Sequence, residues 1–264
     1  MKKFALVLLM GCLALSCFSQ EKEQPKGLTK KDRKEAKRKR IDALVKLEEE
    51  GELVFQKHSI FGFKANSDGW GFSYEMGRFK SNRTTNIYQL EFNEKKHRQE
   101  KKISTINGFD FNSTIPFKEN NFFQFKLGFG QQRIIGGKGN KNGVAVAVVY
   151  AGGLSMGLLK PYLIDVESGG KRFRSSFPAI WDSGYAIIGA SGFTTGWNEL
   201  SIKPGAHAKA AMRFDYGRFN ETVTAIEVGV NAEYYPSKIP QMMFAKQEQF
   251  FFNAYVSILL GRRK

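Results

Sequence analysis

Thr222-Val223-Thr224-Ala225-Ile226-Glu227-Val228-Gly229-Val230-Asn231-Ala232-Glu233-Tyr234-Tyr235 is the stretch on which the reading of the fold turns. In an extended chain successive side chains point to opposite faces. Ile226, Val228, Val230, Ala232 and Tyr234 therefore share one face, and Glu227, Gly229, Asn231 and Glu233 share the other. A strand of a soluble sandwich also alternates, with its polar face in water, so one such block decides nothing.

Repetition decides. Upstream, Ala206, Ala208, Ala210, Met212, Phe214 and Tyr216 oppose His207, Lys209, Arg213 and Asp215. Downstream, Phe250, Phe252, Ala254, Val256, Ile258 and Leu260 oppose Asn253, Tyr255 and Ser257. Trp70, Phe72, Tyr74 and Met76 oppose Gly71, Ser73, Glu75 and Gly77, and Tyr88, Leu90 and Phe92 oppose Gln89, Glu91 and Asn93. Phe123, Phe125, Leu127 and Phe129 oppose Gln124, Lys126, Gly128 and Gly130. Ser59 to Ala65 and Gly143 to about Leu159 are less regular, the latter being apolar or small on both faces. These eight blocks lie near the ~9–11 residues with which a tilted strand crosses a bilayer.

The connectors alternate as well. Lys80 to Thr84 and Arg218 to Glu221 are tight, whereas Lys95 to Asn120 and Lys160 to Pro204 are long. Tight turns belong to the periplasmic side of such a barrel and long loops to the outside. Asn66 to Gly69 is short for an outer loop, and Gln131 to Asn142 is long for an inner turn. The expected fold is all-β, an antiparallel up-and-down transmembrane β-barrel of about eight strands over residues 57–264.

Two segments precede it. Met1-Lys2-Lys3, the apolar run Phe4 to Leu15 and the small residues of Ser16-Cys17-Phe18-Ser19-Gln20 have the anatomy of a secretory signal peptide, residues 1–20. Cys12 and Cys17 each follow a small residue, which opens a lipoprotein alternative, but Cys12 lies inside the apolar run and Cys17 lacks a leucine three positions upstream. Both cysteines of the chain lie in this leader, so the mature part has no thiol, disulfide or cysteine metal ligand. Residues 21–56 read as a basic periplasmic helical segment, with Thr29 as N-cap, a short stripe of Ile41, Leu44, Val45 and Leu47, and Gly51 as the stop.

The formal charge is +16, or +14 once Lys2 and Lys3 leave, and much of it lies between Lys26 and Arg40. An exported chain meets anionic lipid, lipopolysaccharide phosphates or an acidic partner rather than nucleic acid. Outer-membrane lipid and lipopolysaccharide are thus the expected surroundings, with an envelope protein as partner of the basic helix.

Eight strands leave an interior that side chains can fill. Glu75, Glu91, Glu227 and Glu233 would face Lys126, Lys209, Arg213 and His207 there, with Asp215 at one rim. Unpaired, such charges are prohibitive, so an ion-pair network and a plugged lumen without a pore are expected. Trp70, Tyr88, Tyr216, Tyr234 and Phe250 would form interfacial girdles.

Motifs for chemistry are weak. Gly153-Leu154-Ser155-Met156-Gly157 matches a serine-hydrolase pentapeptide, which requires a strand-to-helix elbow, yet it continues a strand. His58, His97 and His207 lie on different blocks, and His207 reads as a lumen partner of Glu227. The glycine-rich run Gly136 to Gly143 lacks the Walker ending and reads as a connector. Phe177 to Trp197 is too apolar for a free loop and must cover the barrel mouth, insert as a plug or present a partner surface. No catalytic, cofactor-binding or metal-ligating set is assigned, and the chain reads as no enzyme. A barrel-embedded lipid hydrolase or acyltransferase at the outer rim and a soluble periplasmic β-sandwich are the competing readings.

In Phe18-Ser19-Gln20, in Gly139-Asn140-Lys141-Asn142-Gly143, in Gly157-Leu158-Leu159-Lys160-Pro161-Tyr162 and in Phe250-Phe251-Phe252-Asn253-Ala254-Tyr255 the chain resembles outer-membrane β-barrel proteins of Bacteroidota. The likeness covers the chain from about Gly51 onward and implies outer-membrane location and a barrel, with no activity. The chain departs from the pattern at its end, Gly261-Arg262-Arg263-Lys264, where many such proteins carry a terminal aromatic. Both termini are expected in the periplasm.

Overall fold

The computed structural model describes residues 35, 56–81, 83–107, 110–138, 143–217 and 222–264. The expected leader lies outside these residues, as does the basic segment 21–56 except for Glu35, which is helical, and Gln56. The chain then runs through β1 (Lys57–Asn66), β2 (Gly69–Ser81), β3 (Thr84–Lys95), a hairpin of β4 (Ile103–Asn107) and β5 (Asp110–Thr114), then β6 (Asn120–Gly136) and β7 (Ala145–Pro161). An excursion through β8 (Leu163–Ser168), β9 (Lys171–Ser176) and β10 (Ala186–Ala190) precedes β11 (Ser201–Asp215), β12 (Thr222–Ile239) and β13 (Glu248–Arg263).

Eight of these strands close a ring in the order β1-β13-β12-β11-β7-β6-β3-β2, with every neighbour antiparallel. Each of the eight sequence blocks supplies one of them. The paired residues Lys57, Arg78, Asn86, Gln131, Tyr150, Ala210, Val230 and Ala254 step once round the ring. Ala254 then accepts the N–H of Ser67, ten residues along from Lys57. A stagger of that size on eight strands tilts them by roughly 40° from the barrel axis.

The ends differ. One rim, here the turn rim, carries connectors 82–83, 137–144 and 216–221 and the end of β13. The opposite loop rim carries the two-residue turn Ser67-Asp68 and the connectors 96–119, 162–200 and 240–247. At Gly69 an added Cβ would stand 1.9 Å from the Glu94 carbonyl oxygen, so only glycine lets β2 leave that tight turn beside β3.

Three boundaries differ from the sequence reading. Within the connector expected over Gln131 to Asn142, residues 131–136 are strand, because β6 continues to Gly136; residues 139–142 lie outside the description. β11 begins at Ser201 and contains Pro204, which the sequence reading leaves in a loop. Residues 201–205 pair with β7 alone, since pairing with β12 starts at Ala206, and proline is tolerated on such an edge. β12 likewise extends past Tyr235 to Ile239, with a register shift around Pro236.

Burial is inverted relative to a protein in water. Leu154 and Phe61 are 71% and 68% exposed on the outer wall, while Glu233 and Lys64 inside are 0% and 1% exposed. The outer wall carries an apolar band, with rings packed across strand pairs such as Phe61–Tyr74, Phe63–Phe72 and Tyr88–Phe129. Among the described residues no helix is long and apolar enough to cross a membrane, and no group of three His, Cys, Asp or Glu side chains could hold a metal ion.

Candidate functional site

The lumen is an ordered stack of charge. At the turn rim Asp215 pairs with Arg263, and Lys138 reaches the Gly217 carbonyl beside them. Lys138 lies on a connector, where burial pushes its ammonium below the ordinary range against the opposing pull of Asp215. Above this lock Arg213 donates to both oxygens of Glu75 (2.7 and 2.8 Å), to Glu227 (2.6 and 2.9 Å) and to Gln132 (3.0 Å). The planar guanidinium fits two carboxylates at once, which a lysine at that position could not do. His58 Nε2 and Gln89 complete Glu75 at 2.9 and 2.6 Å.

Further along, Glu227 accepts the Tyr255 hydroxyl (2.6 Å) and Lys209 (3.2 Å). Lys64 donates to both oxygens of Glu91 (2.9 and 3.0 Å) and lies 4.0 Å above the centre of the Tyr255 ring. Towards the loop rim Glu233 is held by Lys126, by Lys95 (2.7 Å) and by Gln124 (2.8 Å), and Lys95 also reaches Asp68 at 2.7 Å. Five carboxylates and five cations thus pair in two clusters, Lys64–Glu91–Lys209–Glu227–Arg213–Glu75 and, nearer the loop rim, Asp68–Lys95–Glu233–Lys126. Beyond it Phe122, Tyr235 and Phe251 pack ring to ring with Leu159 and Ile239 across the lumen.

The expected inward set is present, with one partner misassigned. His207 stands opposite Glu233, whereas Glu227 stands opposite Arg213. Glu233 is already taken by Lys95, Lys126 and Gln124, and His207 Nδ1 has no hydrogen-bond partner. The expected His207–Glu227 pair does not form because the two residues lie six positions apart along their strands. Sequence reading also missed His58, Lys64, Lys95 and Arg263. Lys64 was legible: once Phe61, Phe63 and Ala65 are placed outside, the period of two puts 58, 60, 62 and 64 inside.

Ser155 does not sit on an elbow. β7 runs straight through Gly153–Gly157, and Ser155 lies buried in the lumen beside Tyr235. His207 faces the same lumen one row away, opposite Gly153, and among the described residues no hydrogen bond joins it to Ser155.

The loop rim carries a cap with its own core. Ile164 and Val166 of β8 bury Phe177 and Ile180 of a one-turn helix, with Tyr162 and Met243 packed against them. Three loops are tied by backbone bonds: Tyr162 N–H to Glu119 O (2.9 Å), Glu119 N–H to Gln241 O (2.9 Å) and Met243 N–H to Phe117 O (2.9 Å). Burial pushes the Tyr162 phenol above its ordinary value. On the outside of this cap Phe117, Trp181 and Phe244 form a ring cluster, with Trp181 and Phe244 more than half exposed. The apolar stretch 177–197 therefore builds the cap. Its Phe193 and Trp197 fold over Phe123 on the outer wall, which is why that outward residue is only 3% exposed.

Phe117 has φ +61°, a left-handed conformation that costs a side-chain-bearing residue about 1–3 kcal/mol. The cap clamps it through the ring contacts of Phe177, Trp181 and Phe244. Phe117→Ala loses the rings and keeps the strain, whereas Phe117→Gly loses both. Limited proteolysis of the cap should cut the alanine variant faster than the glycine variant; the reverse order would show the strain to be negligible.

No protein-family model matches this chain, and none of the curated proteins does. Among solved structures the chain is similar to Ail, the attachment invasion locus protein of Yersinia pestis, determined with the heparin analogue sucrose octasulfate (12% identity, TM-score 0.38, 80% of this chain and 100% of that one). It is also similar to the N-terminal β-barrel domain of Pseudomonas aeruginosa OprF (10%, 0.37, 79% and 99%) and to Neisserial surface protein A (8%, 0.39, 80% and 97%). The barrel stands on its own strand pairing, independently of these likenesses.

Proposed function

We propose that the protein is an outer-membrane β-barrel with a closed lumen, serving as a structural or binding component of the bacterial envelope and not as an enzyme. One observation carries the reading: the barrel buries its charges in a paired network and turns its phenylalanines and leucines outward. Water rewards the opposite arrangement, and hydrocarbon rewards this one. A soluble sandwich or barrel of this composition would leave a large apolar patch in solvent. In this reading residues 1–20 direct export, the turn rim and both termini face the periplasm, and the basic segment 21–56 contacts an envelope partner. Lipid and lipopolysaccharide surround the wall, and the exposed Phe117–Trp181–Phe244 cluster is the surface offered to a binding partner outside.

Closure of the lumen is supported by the Asp215–Arg263 lock, the two clusters of paired charges and the ring layer of Phe122, Tyr235 and Phe251. The test is mobility on a denaturing gel with and without boiling, followed by reconstitution in a planar bilayer. The expected result is a shift on boiling and no steady conductance. Release from washed membranes by carbonate without any shift would overturn the membrane placement, and steady unitary conductance would overturn the closed lumen.

A further inference from the structure

On the outer wall at the turn rim, the apolar band is interrupted by a groove of about 540 Å³. It exists because Ser59 stands where β1 otherwise presents Phe61 and Phe63. The row across the wall reads Arg262, Ser59, Met76, Tyr88, and the row nearer the rim pairs Lys57 with Arg78. Tyr74 closes the far side, its hydroxyl 2.9 Å from Ser59 Oγ. The groove is therefore apolar along Met76 and the two tyrosine rings, hydroxylated at its floor, and cationic at its mouth.

The cations at that mouth are unlike those of the lumen. Lys57, Arg78 and Arg262 line the groove, and among the described residues none of them pairs with a carboxylate. Each buried lumen cation named above has its acid. Nearby Glu75 is sealed inside by Arg213, His58 and Gln89. With Lys264 the lining carries four basic side chains, and among the described residues no carboxylate side chain pairs with them, beside an apolar slot at the depth where the barrel meets headgroups.

We propose that this groove binds one anionic glycerophospholipid of the inner leaflet. Its phosphate sits among Lys57, Arg78 and Arg262, its ester oxygens lie over the Ser59 and Tyr74 hydroxyls, and the first part of an acyl chain lies along Met76 and Tyr88. A zwitterionic lipid places an ammonium against the same cations and is disfavoured. The proposal rests on the membrane reading above, with the turn rim towards the periplasm.

The test uses the purified full chain in mild detergent, titrated with phosphatidylglycerol or phosphatidylcholine, with retained lipid counted by native mass spectrometry. The unaltered protein should retain one phosphatidylglycerol with a preference of about tenfold over phosphatidylcholine. Arg78→Ala/Arg262→Ala should abolish the preference, and Ser59→Phe should abolish retention by filling the slot. Lys238→Ala/Lys246→Ala, at the opposite rim, should change neither. The gel shift on boiling, checked for each variant, shows that the barrel has formed. Equal retention of the two lipids by the unaltered protein, or equal loss in the two double variants, overturns the proposal while leaving the barrel reading intact. Absence of the gel shift in the unaltered protein overturns both.

Discussion

Arg213→Met is expected to lower the unfolding free energy of the refolded barrel by about 3–5 kcal/mol, because it strands two buried carboxylates at once. Glu75 would keep only His58 and Gln89, and Glu227 only Lys209 and Tyr255. Arg213→Lys keeps a charge but loses the two-sided fork, and should fall between the variant and the parent. Arg213→Met combined with Glu75→Gln removes one charge of each sign, leaves Glu227 its lysine and should recover much of the loss. Urea unfolding in detergent micelles, followed by tryptophan fluorescence, reads all four proteins. An unchanged midpoint for Arg213→Met would mean that water solvates the lumen, and the closed interior would have to be abandoned.

The second large effect is on the outer wall. Val230 lies near the middle of β12, faces outward, and pairs with Ala210 and Ala254 on the same face. Val230→Arg should cost about 2–4 kcal/mol in a bilayer, whereas Thr224→Arg, nearer the turn rim on the same strand, should cost about 0–1 kcal/mol. Folding titrations in phosphatidylcholine vesicles measure both. The depth dependence is the informative part. A soluble protein would accept an arginine at either exposed position with little change, so equal and small effects would refute the lipid-facing wall.

Much of this molecule was legible in one dimension. Glu227, Val228, Gly229, Val230 on β12 and their counterparts on five other blocks carry the period of two, and that period alone says which side chains share a face. The mixture of Glu75, Glu91, Lys126, Lys209 and Arg213 on the inward face then requires pairing, whatever the pairs are. The short and long connectors divide the rims as well, except at the two-residue turn Ser67-Asp68, which lies on the loop rim, and at connector 137–144, which lies on the turn rim. Less legible were the strand ends. Pro204 reads as a breaker until β11 is seen to run beyond its neighbour β12, where one edge is free to lack a donor.

Which charge meets which was decided only by register and by the way a tilted ring closes. His207 and Glu227 look like partners on paper, yet a stagger of ten residues carries each strand past its neighbours and sets Arg213 between Glu75 and Glu227 instead. Cross-lumen contacts such as Lys64 with Glu91, or Arg263 with Asp215, join strands that are not adjacent in sequence, and no local pattern encodes them. The same holds for the cap, where Phe117, Trp181 and Phe244 come from three loops, and for the groove around Ser59, bounded by β1, β2, β3 and β13. The sequence by itself determined the barrel, its inward and outward faces and the need for a neutralised interior, because alternation is a local property of the chain. Tertiary structure decided the partners, the cap and the groove, because those depend on how far each strand slides along the next before the ring shuts.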